Sequence, residues 1–372
     1  MSQFPKISFV ALETYSLVGG LQQFNRRVIS ALAHLSQKKN AFRPTVILKG
    51  DYLKDIGHVE DNALFIPCGN SRLNIVKQVI KASRYSEVMF FGHINLLPMV
   101  LIAKLINPKI KTILFVHGDD VWGDPVYRSK KRWEPIALNW VDQVASVSQY
   151  TADRMAQAYD VDKGKFLIFP NAIDPIIENS IESNSIAQKT IITVARLAAH
   201  DWGKHVDSVL HAMPEILSQV NDVKYYIVGD GMIVPKLKQL AIDLGVDHAV
   251  EFTGRVTDQE LQEMYQQADI FVMPSEKEGF GIVFLEAWQR KVPVICGSED
   301  ASHEVITNGI DGYAVHHNDI ITLSDKIIYL LTHPEIATKM GMEGYKKVEQ
   351  KYLMANFIEN MENLIENICL KR

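Results

Sequence analysis

A chain of 372 residues, 47% hydrophobic and 22% charged, reads as soluble and globular, and is long enough to divide into two domains. A net charge of −5 without a recognition motif argues against nucleic acid, and no apolar run reaches the roughly 18 residues of a membrane span. The opening MSQFPKISFVALET has no basic head, long apolar stretch or cleavage site, and Cys68, Cys296 and Cys369 form neither a metal spacing nor a disulfide framework. The expectation is a cytoplasmic protein with reduced thiols.

In chain order, strand-like apolar runs fall at Ile7–Leu12, Thr45–Leu48, Glu87–Phe91, Thr112–Val116, Gln143–Val147 and Phe166–Phe169, with helical patterns between most of them. A polar stretch over 175–188 then reads as a linker. The alternation resumes with Thr190–Val194, Lys224–Val228, Val250–Thr253, Ile270–Met273 and Val292–Ile295. Strands alternating with helices predict a parallel sheet covered by helices in each half, 1–174 and 189–352. Ligands of such sheets bind beyond the carboxyl ends of the strands, so two such domains facing each other would make a cleft.

The two halves differ in charge. Residues 1–174 carry 22 Lys+Arg against 15 Asp+Glu, whereas residues 175–372 carry 17 against 29. In the basic half, Leu73, Val76, Val79 and Ile80 take helical spacing, with Lys77, Lys81 and Arg84 elsewhere on that segment. Arg128, Lys130, Lys131 and Arg132 lie beside Trp133. An anionic membrane surface or a polyprenyl-phosphate headgroup would suit these residues, and solvated lysines on ordinary core helices would explain them equally well.

The richest segment is PSEKEGFGIVFLE, Pro274 to Glu286. A strand ending at Met273, two glycines (Gly279 and Gly281) and an apolar-periodic helix after them aim unpaired backbone N–H groups at one point, a place for phosphate. Glu278 and Glu286 flank it, and carboxylates that repel phosphate serve there to bind hydroxyls. Phosphate and hydroxyls together describe a sugar nucleotide. Arg196 just past one strand, and Lys204 eight residues later, can neutralise a diphosphate as a fork and a point charge. Gly19-Gly20 opens the first strand-to-helix turn, and His117 follows the strand ending at Val116, where a histidine can orient a hydroxyl or serve as a structural hydrogen bonder. Asp119-Asp120 is weak ground for a metal. The run Val228-Gly229-Asp230-Gly231 imitates a dinucleotide fingerprint but has Val234 at the third glycine, so a tight turn is the better reading.

PNAID, VARL with Arg196, the VGDG turn, EFTGRV and the two glutamates of EGFGIVFLEAW, with seven residues between them, resemble the retaining GT-B glycosyltransferases of family four. GGLQQFNRRVISAL and SVSQYTADRM extend the resemblance to nearly the whole chain. It implies two Rossmann-like domains, the second binding the nucleotide sugar, with a last helix at about 353–372 returning to the first. It further implies that Arg196 and Lys204 hold the donor diphosphate, that backbone around Gly279, Phe280, Gly281 and Ile282 caps it, and that Gly20 approaches it from the first domain. Glu286 would bind the ribose, Glu278 the transferred sugar, and His117 would stand beside the reaction centre. No cofactor and no metal would be needed. The partners would be a GDP-mannose or UDP-glucose type donor and a saccharide or polyprenyl-linked acceptor, in making a cell-surface polysaccharide on the inner face of a membrane. One departure stands out: the family carries Lys-Gly where this chain has Lys204-His205. An epimerase or phosphorylase on the same architecture, or a non-catalytic relative, are the alternatives.

Overall fold

The computed structural model describes residues 4–57, 62–175, 188–199 and 201–370. Nearly all of the expected linker, residues 176–187, lies outside the described residues. The chain divides into two compact units, Met1–Ala172 with Leu353–Arg372, and Ile173–Tyr352.

The first unit is built on a seven-stranded sheet of β1 (Ile7–Ala11), β2 (Thr45–Leu48), β3 (Leu64–Pro67), β4 (Val88–Phe91), β5 (Lys111–Val116), β6 (Gln143–Ser146) and β7 (Phe166–Ile168). Their order is β3-β2-β1-β4-β5-β6-β7, and every pairing is parallel. The central strands β1 and β4 are buried at every residue, which is why they read as continuous runs, apolar but for Ser8, rather than alternations. An aromatic cluster fastens helices to one face. Phe24, from the helix Gly20–Lys38, packs edge-on against Phe115 at 5.0 Å, and Phe357, from the final helix Met354–Leu370, against Phe24 at 5.7 Å and Phe169 at 4.8 Å. Such edge-to-face pairs add about 0.5–1.5 kcal/mol each to the area they bury.

The second unit holds β8 (Lys189–Val194), β9 (Val223–Val228), β10 (Val250–Gly254), β11 (Ile270–Met273), β12 (Val294–Gly297) and β13 (Gly312–Val315). They lie in the order β10-β9-β8-β11-β12-β13, again all parallel. In both units the strand order reverses beside the first strand, between β1 and β4 and between β8 and β11. That reversal leaves a crevice at the carboxyl ends of those two strands, the ligand position of open α/β sheets.

Two strands escape the sequence reading. β3 and β13 are edge strands, and their residues LFIP and GYAV carry a terminal proline and an initial glycine, each tolerated at an edge and each masking a strand pattern. β12 begins at Val294, two residues later than its apolar run, because Pro293 has no N–H to donate; its carbonyl accepts instead from the Phe271 N–H. No described helix is long and apolar enough to cross a membrane.

Candidate active site

In the second unit the expected donor residues gather at the β8–β11 reversal. Arg196 follows β8, and the segment Pro274–Gly281 follows β11. Between Arg196 and Lys204 the chain makes a short 3-10 turn, Asp201–Lys204, whose Asp201 is 4% exposed and grips the Arg196 guanidinium at Nε (2.8 Å) and Nη2 (3.1 Å). The same carboxylate accepts from the Ala198 N–H at 3.0 Å. Asp201 therefore sets the direction of a side chain that is itself 64% exposed.

Lys204 and Glu278 meet. The ammonium Nζ is 2.5 Å from Glu278 Oε2 and also donates to the Lys277 carbonyl at 3.3 Å. Burial works against the Lys204 charge, but the carboxylates of Glu278, Asp300 and Asp201 outweigh it and hold the ammonium's pKa above its ordinary value. The loop carrying Glu278 is tied down on three sides: the Glu276 N–H donates to Gly203 O, the Ser275 hydroxyl to Asp300 at 2.6 Å, and the Ala301 N–H to Glu278 O at 3.1 Å. Burial pushes the Asp300 carboxyl up to about 6 against the lowering effect of its hydrogen bonds from Ser275 and Ser302.

Gly281 ends the loop at φ +89, a left-handed turn where a Cβ would also strike the Phe284 ring at 2.3 Å, so only glycine fits. The helix Ile282–Gln289 starts there with no side chain capping it, leaving its first amides for an anion. Ile282 opens that helix, and half-buried Gly279 precedes buried Phe280, whose ring packs edge-on against Tyr352 at 5.7 Å. Phe280 thus contributes its backbone to the turn while its side chain anchors the loop. Further along, Glu286 accepts a 3.0 Å hydrogen bond from the hydroxyl of Tyr265, which is 3% exposed. Burial first, and the Glu286 charge second, push that phenol well above its ordinary pKa, so it stays a donor.

The VGDG run is a tight turn, as read. Gly229 and Gly231 pack on the backbone of Ala195 and Leu197, where a Cβ would come within 1.9 and 2.0 Å of their carbonyl oxygens. The turn therefore braces Arg196.

The first unit holds the remaining expected residues. Gly20 begins its helix with nothing within 4 Å of where a Cβ would stand. The loop before it is clasped by buried Asp51, which accepts from the N–H groups of Thr14, Tyr15 and Ser16 at 2.8–2.9 Å. His117 Nε2 lies 2.9 Å from Gly92 O, joining the ends of β4 and β5. A carbonyl only accepts, so the neutral ring carries its proton on Nε2 and offers Nδ1 as acceptor. Asp120 accepts from the N–H groups of His117 and Gly118 and faces His93 Nε2 at 3.6 Å, which makes it a turn holder. The two groupings of three metal-ligating side chains among the described residues lie elsewhere, without Asp119 or Asp120.

Arg128 corrects the reading of the basic patch. Its guanidinium is ion-paired to Glu134, which is 1% exposed, and donates to the Tyr159 hydroxyl at 2.8 Å and to Asn95. A side chain spent on a buried partner cannot serve a membrane surface. Leu73 likewise stands 86% exposed, and Ile75 and Val79 supply the buried face of its helix.

Asp201, Ser275, Asp300, Tyr265 and Asp51 all support the candidate site and none was found from sequence. Ser275 lies inside PSEKEGFGIVFLE, where nothing marked it, and the other four lie in no motif; each acts on a residue distant in sequence or hidden in a loop turn.

The family described as Glycosyl transferases group 1 matches residues 177–347, and Glycosyltransferase Family 4 matches 63–176. A GDP-mannose-dependent monoacylated alpha-(1-6)-phosphatidylinositol monomannoside mannosyltransferase of Corynebacterium glutamicum is 29% identical over 308 residues, 78% of each chain. A GDP-mannose-dependent alpha-(1-6)-phosphatidylinositol monomannoside mannosyltransferase of Mycolicibacterium smegmatis is 31% identical over 280 residues, covering 69% of this chain and 70% of its own. Among solved structures, Anabaena HepE in complex with UDP superposes with a TM-score of 0.78 at 16% identity, over 97% of this chain and 100% of that one, a likeness of fold. The fold is thus the GT-B class expected from the sequence, and the chain belongs to the glycosyl transferases of group 1.

Proposed function

We propose that this glycosyltransferase moves a hexosyl group, with retention, from a nucleotide diphosphate sugar to a saccharide or lipid-linked acceptor, and that GDP-mannose is the donor. The Lys204–Glu278 pair at the β8–β11 reversal carries the reading, because it sets a cation and a hydroxyl-binding carboxylate side by side at an uncapped helix start. The curated relatives named above, GDP-mannose-dependent mannosyltransferases, favour mannose over glucose.

In this reading Arg196, Lys204 and the amides from Gly279 to Ile282 neutralise the diphosphate, and Glu286 binds the ribose. Glu278 holds hydroxyls of the transferred sugar. The bond from the anomeric carbon to the phosphate oxygen breaks as the acceptor oxygen bonds to the same face. The acceptor's proton passes to the leaving diphosphate, so no side chain need act as nucleophile, and Nδ1 of His117 accepts from a sugar hydroxyl. Positive charge poised where the leaving group develops its own supplies the acceleration. A role in cell-surface polysaccharide synthesis belongs to the same proposal.

A lipid-borne acceptor has separate support. In the first unit Lys130, Lys131 and Arg132 are exposed beside Trp133 (37%), Ile136 (68%) and Trp140 (44%), the mixture of cations, indoles and aliphatics that suits an anionic membrane interface.

The test is turnover. The protein is incubated with GDP-mannose, UDP-glucose and UDP-N-acetylglucosamine in turn, with short mannosides and lipid extracts as acceptors, and the anomeric configuration of product is read by NMR. Release of GDP with an α-linked product is expected. Isomerised nucleotide sugar in place of a glycoside would defeat the reading.

A further inference from the structure

His205 stands where the family carries glycine, and its backbone shows why glycine is usual there: φ is +51, the left-handed region. The imidazole that accepts this backbone cost does not point to solvent. It stacks on His317, centroids 3.9 Å apart and planes 15° from parallel. His317, from the loop after β13, is 8% exposed.

The two rings share one carboxylate. His205 Nε2 lies 3.8 Å from Glu276 Oε1, and His317 Nε2 lies 3.7 Å from Glu276 Oε2. Each ring turns its other nitrogen toward a second carboxylate, His205 Nδ1 to Asp207 at 3.8 Å and His317 Nδ1 to Glu299 at 3.7 Å. None of these four separations is a hydrogen bond. His205 Nε2 and Asp207 Oδ1 are buried without any hydrogen-bond partner, a costly state for groups that protein alone leaves unsatisfied. The three inner ligand atoms lie within 4.8 Å of one another.

We propose that His205, Glu276 and His317 form a binding site for a divalent transition metal of the zinc class, with Asp207 and Glu299 as the outer carboxylates. Two imidazoles and one carboxylate are a donor set for such ions, and a carboxylate behind each ligating histidine is the arrangement that fixes its ring and raises its basicity. Small side-chain rotations close 3.7–3.8 Å gaps around an ion about 2.0–2.2 Å from each ligand. The site touches no reacting atom. Its ligands come from three segments: the residue after Lys204, the loop residue two before Glu278, and the loop after β13. An ion there would lock the Lys204–Glu278 geometry from behind. The assignment does not depend on which sugar is transferred, or on transfer at all.

The experiment uses the untagged, full-length protein after chelator treatment, titrated with ZnCl2 by calorimetry and with CoCl2 by visible absorption. One equivalent is expected to bind, with the d–d bands of four-coordinate cobalt and a raised Tm. H205G, which removes the ligand and relieves the backbone, keeps the fold testable; it and H317A should each abolish the cobalt bands. D207N and E299Q should weaken affinity by about 10–100-fold. Metal uptake by the wild type no tighter than by the H205G/H317A double variant overturns the proposal. So does loss of uptake in H316A with retention in H205G, because His316 lies 3.0 Å from Glu299 and would then belong to a different ligand set.

Discussion

Lys204 Nζ and Glu278 Oε2 stand 2.5 Å apart although 74 residues separate them in the chain. Each is 19% exposed, so the pair is screened from water and each partner depends on the other. Lys204→Ala should lower kcat by about 10²–10³-fold, the usual loss when one preorganised charge is removed from a leaving group. Glu278→Ala should lower it as well. In stability the two should be non-additive, since each single truncation strands the other charge and the double variant strands neither. Initial rates of nucleotide release and urea midpoints for the four proteins check both statements.

Asp201 is expected to act chiefly through Arg196, its carboxylate adding a smaller pull on the Lys204 charge. Asp201→Asn leaves one acceptor for the guanidinium, so donor KM should rise about tenfold while kcat changes less, the signature of a positioning residue. Arg196→Lys should resemble Arg196→Ala more than the wild type, because an ammonium lacks the fork that Asp201 grips at Nε and Nη2. An Arg196→Lys enzyme with wild-type donor KM would contradict this.

Tyr265→Phe removes one hydrogen bond to the Glu286 carboxylate without changing shape. Bonds to charged groups are worth about 1.5–3 kcal/mol, so donor affinity should fall by at least tenfold if Glu286 reads the ribose. Calorimetry with GDP measures it, and an unchanged dissociation constant would detach Glu286 from that role.

Asp300 makes stability depend on pH. Its folded pKa of about 6 lies above the ordinary 3.8, so the folded protein holds the proton more tightly than the unfolded chain. The resulting stabilisation is fully present below the unfolded value and is lost as pH rises through about 6. Asp300→Asn cannot ionise and should lack this loss. Its unfolding free energy relative to wild type should improve by up to ~3 kcal/mol between about pH 4 and pH 7. Denaturant titrations at both pH values give the comparison, in which the fixed cost of the substitution cancels.

The basic residues near Trp133 should separate into two kinds. Lys130→Ala/Lys131→Ala and Trp133→Ser/Trp140→Ser should reduce sedimentation with anionic vesicles at low salt and leave Tm nearly unchanged. Arg128→Ala should instead destabilise the first unit by about 3–5 kcal/mol, because it abandons the buried Glu134 carboxylate. Absence of wild-type sedimentation would remove the membrane contact altogether.

Most strands were legible because both faces of a parallel sheet are covered, and β4 and β11 therefore consist of apolar residues alone, while β1 breaks its apolar run only at buried Ser8. The edge strands β3 and β13 were not, since an edge accepts the Pro67 and Gly312 that break the pattern. The same division holds at the candidate site. Arg196, Lys204, Glu278, Gly281 and Glu286 could be named from one dimension, because a strand end followed by glycine and a helix is a local arrangement with a local chemical meaning.

What holds those residues in place is not local. Tyr265 reaches Glu286 from a preceding helix, Asp300 reaches Ser275 from the next strand's loop, and His317 reaches Glu276 from beyond β13. The amino-acid sequence by itself determined two parallel sheets and named the residues of the candidate site, through periodicity and turn chemistry that act over a few residues. Only the tertiary structure decided that Arg128 pairs with buried Glu134, and that two histidines and a glutamate converge behind the Glu278 loop. Neighbours of that kind are chosen by which strand ends the sheet order brings together, and no spacing along the chain records that choice.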